Sequence, residues 1–92
     1  MIHSRSIVST AHASRYLQQL CKHWSHKFET EFDPTSARIA LPLGEARLAA
    51  DADALTIDLA VDDAAKLPDF RAVVVRHIER FAFRETLTFE WT

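Results

Sequence analysis

Apolar residues along this chain keep two different periods, and the places where the period changes mark the elements. Ala13, Leu17, Leu20, Cys21, Trp24 and Phe28 recur at spacings of three and four. That is the stripe of a helix with one buried face, and it predicts a helix over 11–27. Thr10 is its expected N-cap, with Ser14 as the alternative, because either hydroxyl can accept from an unpaired first-turn N–H. Ile7 and Val8 suggest a short strand over 4–9 ahead of it. From Phe28 the period falls to two. Phe28, Thr30 and Phe32 are followed by Ile39, Leu41 and Leu43, then Ala46, Leu48 and Ala50, then Leu55, Ile57, Leu59 and Val61. Asp33-Pro34-Thr35-Ser36, Pro42 with Gly44, and Asp51-Ala52-Asp53 separate these runs as turns. Strands apolar on one side only belong to an antiparallel sheet with one covered face.

The helical period returns over 63–83, with Leu67, Phe70, Val74, His77, Ile78 and Phe81 as the inner stripe. Asp62 and Asp63 are its N-cap candidates, and Pro68 confines the regular part to start at Leu67. Leu87, Phe89 and Trp91 then alternate as a last strand. The predicted order is (β)αββββαβ. Two amphipathic helices packed on one face of an antiparallel sheet bury all these stripes, so the expected class is a two-layer α+β fold. At 92 residues, the expectation is a single domain over 1–92.

Charge changes this picture by dividing it. The net charge of −2 is too low for a generic nucleic-acid binder, and no apolar stretch reaches the length of a membrane span. Yet residues 1–28 carry Arg5, Arg15, Lys22 and Lys27 and no acid, whereas residues 29–63 carry nine acids against Arg38 and Arg47. A basic helical side and an acidic sheet side are expected. Solvated faces that keep a small protein soluble carry the larger weight; the sharper alternative is a helix surface suited to an anionic ligand or an acidic partner. At 100° per residue, Tyr16, His23 and Lys27 share one flank of the first helix, and Val73, His77, Arg80 and Arg84 share one flank of the second. If the helices run antiparallel, these flanks either face each other across a groove or both face away. With Lys22, the candidate ligand-binding residues are Tyr16, His23, Lys27, His77, Arg80 and Arg84.

Candidate chemistry is sparse. His23 and His26 stand three apart and could share a metal ion, with His12 or His77 as additions, but two ligands do not make a tight site. Cys21 lies in the buried stripe, where a thiol behaves as a small hydrophobe. As the only cysteine it allows no internal disulfide, which fits a reducing compartment. The start of the chain lacks the apolar run of a signal peptide, and the cytoplasm is the expected location. His77 reads as a core-edge histidine, with an acid/base role for His23 or His77 as the enzymatic alternative. Asp62 and Asp63 read as caps rather than a catalytic acid pair. One glycine cannot build a phosphate-binding loop, and Phe81, Phe83, Phe89 and Trp91 have core spacing. No catalytic residue and no cofactor is assigned. The outer sheet face is expected to present Arg38, Ala40, Glu45, Arg47, Ala49, Thr56, Asp58 and Ala60, a surface that could also support a homodimer.

Several blocks carry a family resemblance: Ala13-Ser14-Arg15-Tyr16-Leu17, Leu20-Cys21-Lys22-His23-Trp24, the strand from Ile39 to Gly44, Ala50-Asp51, and His77-Ile78-Glu79-Arg80-Phe81-Ala82-Phe83-Arg84 closed by Leu87 to Trp91. Together they resemble the bacterial domain of unknown function numbered 2218 over nearly the whole chain, from about Ser9 to Trp91. The resemblance implies no catalytic assignment. Its implied setting is iron–siderophore metabolism, because the family occurs alone, or joined to or encoded near flavin-dependent siderophore-interacting reductases. A siderophore or such a reductase is therefore the implied partner, and an accessory binding module the implied role.

Overall fold

The computed structural model describes residues 1–92. Its first strand, β1 (Ile2–Ser9), runs for eight residues rather than the short stretch expected, and pairs antiparallel along its whole length with the fifth, from Ile2 opposite Val61 to Ser9 opposite Ala54. Helix α1 (Ala13–Trp24) then crosses the sheet to β2 (Thr30–Phe32) on the opposite edge. β3 (Ser36–Leu41), β4 (Gly44–Ala50) and β5 (Ala54–Val61) return as hairpins, and a 3₁₀ turn over Ala64–Lys66 leads into α2 (Leu67–Phe81). The sheet order is β1-β5-β4-β3-β2, antiparallel at every pair. Both helices pack on one face, which makes this an α+β fold.

The alternation in β3 to β5 works as the sequence implies. Ile39, Leu48, Leu55, Ile57 and Leu59 point under the helices and are buried with Leu17, Leu20, Cys21 and Trp24 of α1 and Phe70, Val74 and Ile78 of α2. β1 breaks the rule. Its inward residues include Ser4 and Ser6, both buried, whereas Ile7 faces outward and is 62 % exposed. Ser4 is accounted for by hydrogen bonds: its Oγ donates to the Thr92 carbonyl at 3.0 Å and accepts from Arg71 Nη2 at 2.8 Å. Ser6 Oγ has no partner.

Aspartates build the turns. Asp33 Oδ1 accepts from the Thr35 and Ser36 N–H groups, Asp51 Oδ1 from those of Asp53 and Ala54, and Asp63 Oδ1 from that of Ala65. These local bonds replace missing ladder bonds at each reversal. Much of the acidic charge assigned to a sheet face therefore sits at turns, a correction to the simple division into a basic side and an acidic side. Gly44 opens β4 with ordinary φ, so its role is space. A Cβ there would collide with the Ala60 carbonyl and press on Phe70 at 3.0 Å.

Four boundaries depart from expectation. α1 stops at Trp24 rather than 27: the Ser25 hydroxyl donates to the Lys22 carbonyl that His26 would need, and the Lys27 N–H bonds Trp24 three residues back instead of His23 four back. His12, not Thr10 or Ser14, occupies the N-cap and makes no side-chain cap bond; Thr10 Oγ1 accepts instead from the His12 N–H. α2 starts at Leu67, as Pro68 requires, and closes at Phe81 rather than 83. The expected last strand is reduced to one bridge, Trp91 with Ser6, and the Thr92 N–H donates to the Arg5 carbonyl at 3.0 Å. Leu87 is buried, and Phe89 and Trp91 pack against the core, so the alternation there was sound although the strand ladder does not form.

Candidate functional site

α1 and α2 run antiparallel, and their flanks face each other. The His23 and His77 rings lie 5.4 Å apart between centroids. His77 also leans on Trp24 at 5.0 Å, and His23 meets Phe81 edge-on at 6.2 Å. His77 Nδ1 is 2.7 Å from the Val73 carbonyl. A carbonyl only accepts, so Nδ1 carries the proton and Nε2 is the ring's free nitrogen. Burial holds His23 below the usual histidine range, and neighbouring charge adds to this, from His77 whenever that ring is protonated and then from Arg80, Lys27 and His26. The cations expected on the two flanks therefore act on one another.

The candidate residues divide. His23, Lys27, His77 and Arg80 gather at the middle and one end of the groove. Lys22 is exposed on the outward side of α1. Tyr16 is buried at the other end, and its hydroxyl donates to Glu85, which also accepts from Thr10 Oγ1 at 3.0 Å. Burial, then the bond to Glu85, push the Tyr16 phenol up to about 12. The same bond holds Glu85 below the usual carboxylate range. Tyr16 thus tethers the segment after α2 and is not free to meet a ligand through its hydroxyl. Arg84 is exposed, 5.4 Å over the Phe83 ring, and Phe83 is 75 % exposed, against its expectation as core. With Arg15, His12 and Phe81, it lines a cleft of about 500 Å³.

His23 lies against His77 and His26 is exposed, and no three His, Cys, Asp or Glu side chains come close enough to hold an ion. The Cys21 thiol is fully buried and pushed up to about 11 by burial, which suits a packed side chain and not a nucleophile.

Ion pairing separates the two layers. On the outer sheet face Arg5, Asp58, Arg47, Arg38 and Glu31 form one cross-strand row. Arg5 bonds Asp58 at 2.6 Å, Arg38 bonds Glu31 at 2.6 Å and Glu45 at 3.2 Å, and Arg47 bonds Glu45 at 2.9 Å. Ala60 on this face is buried, not exposed. Lys66 pairs with Asp62. Arg71 instead bonds Ser4 and lies 5.7 Å over the Trp91 ring. The remaining cations are Arg15, Lys22, Lys27, Arg76, Arg80 and Arg84. All belong to the helical layer or its flanking loops, and none is within 4.0 Å of a carboxylate.

The flank geometry was readable from helical spacing. Glu85 and Thr10 were missed because their roles depend on where the chain goes after α2, which no local pattern encodes. A second cleft, apolar and about 320 Å³, was missed for the same reason: Trp24 and Phe28 meet Leu41, Leu43, Val73 and His77 there only by tertiary packing.

Residues 5–92 match the family model described as an uncharacterized protein conserved in bacteria, DUF2218. Among solved structures, the chain is similar to the NMR structure of PA4090 from Pseudomonas aeruginosa. The identity is 37 %, the TM-score 0.83, and the match covers 100 % of this chain and 96 % of that one. No curated protein matches.

Proposed function

This chain belongs to the bacterial family DUF2218, and from that premise we propose that it is a non-catalytic binding module that takes an anionic ligand on its helical layer. The observation that carries this reading is the unequal pairing of cations. Sheet arginines are neutralised by their neighbours, whereas Lys27, Arg80 and Arg84 point no charge at a carboxylate of their own chain. Arginine offers a planar fork to carboxylate or phosphate and lysine a point charge. An anion reaching the groove would also relieve the mutual repulsion that His23 registers.

The finer proposal is an accessory role in iron–siderophore metabolism, with a ferric siderophore of negative charge or a siderophore-interacting reductase as partner. It rests on the family resemblance. A metal-binding reading has only the adjacency of His23 and His77 in its favour, and two imidazoles fall short of a tight site.

Calorimetric titration with ferric siderophores, with iron-free siderophores and with a reductase tests the proposal. Binding that is weakened in Lys27→Gln/Arg80→Gln and unchanged in Arg47→Gln is the expected result. Absence of binding to all three at high micromolar concentration would contradict it.

A further inference from the structure

The apolar cleft at the end of the helix groove is the least explained surface of the molecule. Trp24 and Phe28 at the end of α1, Leu41 and Leu43 around the β3–β4 turn, and Val73 and His77 on α2 line it. Its volume of about 320 Å³ lies at the small end of ligand sites, which run roughly 300–1,000 Å³. Phe28, Leu41, Leu43 and Val73 are only partly buried, so apolar area remains in water that the fold could have covered.

The charges beside it are specific. Lys27 precedes Phe28 in the chain. Arg80 stands three residues beyond His77, on the same helical face and about 5–6 Å away between Cβ atoms. Neither is paired with a carboxylate, and His23, packed on the His77 ring at 5.4 Å, feels both. The lining itself contributes one polar side chain, His77, whose Nδ1 is occupied by the Val73 carbonyl. An apolar pocket whose lining residue Phe28 follows one unpaired cation in the chain, and whose lining residue His77 stands one helical turn from another, has the polarity of an amphiphile turned inside out.

We infer that this cleft binds the hydrocarbon part of a small amphipathic monoanion, whose charged head meets Lys27 and Arg80. The inference rests on the anion-binding reading above and adds the class of ligand: one charged group on one short alkyl chain or one fused aromatic ring. Charge complementarity selects this occupant over a neutral one, and the modest volume selects it over a long lipid chain.

Trp24 lines the cleft and Trp91 lies against Arg71, so a Trp91→Phe protein leaves Trp24 as the only tryptophan reporter. Its emission would be followed during titration with decanoate, decanol and inorganic pyrophosphate. Decanoate should give a saturable change below its micelle-forming range. Decanol should bind roughly tenfold more weakly, and Lys27→Gln/Arg80→Gln should weaken decanoate by a similar factor. Val73→Phe, which fills the cleft, should abolish the decanoate response while leaving pyrophosphate binding, read by calorimetry, intact. No saturable response to decanoate, with pyrophosphate still bound, would overturn the inference and leave the anion-binding reading standing. Decanol binding as tightly as decanoate would overturn the charge requirement here. Failure of pyrophosphate as well as decanoate would remove both readings. A dimer in sedimentation that Val73→Phe dissociates would assign the cleft to a second copy of the chain and overturn the inference as well.

Discussion

On the outer face of the sheet, Arg38 sits among Glu29, Glu31 and Glu45, and Arg5 and Arg47 each have a carboxylate within 3 Å. On the helical layer, Lys27, Arg80 and Arg84 have none, although Glu79 stands next to Arg80 in sequence. The two regions use the same residue types. They differ in whether the backbone brings opposite charges into register. Antiparallel pairing places Asp58 opposite Arg5 and Glu31 opposite Arg38, and Arg47 takes Glu45 two residues back on its own strand, so the sheet neutralises its own arginines. α1 has no acid at all, and α2 turns its flank of cations toward α1. A charge left unpaired in this way adds nothing to stability and remains available to something outside the chain.

The largest expected effect concerns what holds the two regions at their distance. Gly44→Ala pushes a methyl into the Ala60 carbonyl and toward Phe70 of α2. It should destabilise the protein by roughly 1–3 kcal/mol, as overpacking does. Because sheet and helices share one core, a single denaturation midpoint should shift whether Trp24 emission or backbone circular dichroism is followed. Separate midpoints would mean the layers are energetically independent and the comparison is between two units rather than two faces.

Next comes the tether that closes one end of the helix groove. Tyr16 is the only tyrosine, so phenolate absorbance reports it alone. The unfolded phenol ionises near 10.0 and the folded one near about 12. The folded state therefore keeps a proton that the unfolded state has already lost in this interval. Stability contributed by Tyr16 is complete below pH 10 and declines as pH rises toward 12. Tyr16→Phe should remove that decline and cost about 1–2 kcal/mol at neutral pH, because the bond to the Glu85 carboxylate is lost. An ordinary phenol titration would place Glu85 elsewhere.

The smallest effect is the sharpest test of the contrast. Arg38→Gln should lower the thermal midpoint by a few degrees, since Glu29, Glu31 and Glu45 would be left facing one another. Arg80→Gln should leave the midpoint unchanged or raise it slightly, because it removes repulsion and no ion pair. In the same variant, the His23 titration measured by NMR should move up toward the ordinary histidine range, as one of the charges holding it down is gone. A midpoint that falls as far for Arg80→Gln as for Arg38→Gln would erase the distinction between the two faces.

Much of the fold was legible because burial here follows period. The α1 stripe, the alternation of β3 to β5 and the start of α2 at Pro68 are local consequences of one buried side. β1 was read only as a short strand because Ser4 and Ser6 point inward and Ile7 outward. Its inward polarity makes sense only once Arg71 and the Thr92 carbonyl arrive to satisfy Ser4. The last strand was over-read for the opposite reason: Leu87, Phe89 and Trp91 do face the core, but an alternating pattern does not specify a hydrogen-bonded neighbour. At the candidate site, helical angles put His23 and His77 each on a flank of its helix but left open whether the flanks face each other or both face away; helix packing brings the two rings together. The burial of Tyr16 and the two clefts did not follow from those angles, since they depend on how the chain returns after α2 and where the β3–β4 turn meets the end of α1.

The central claim is that anions meet the helical layer and not the sheet. Mapping amide shifts in a pyrophosphate titration by NMR tests it most directly. Saturable shifts confined to residues 22–27 and 77–84 are expected, with the amides of Arg5, Arg38, Arg47 and Asp58 unmoved. Shifts centred on the strands, or an absence of saturable shifts in both regions, would contradict it.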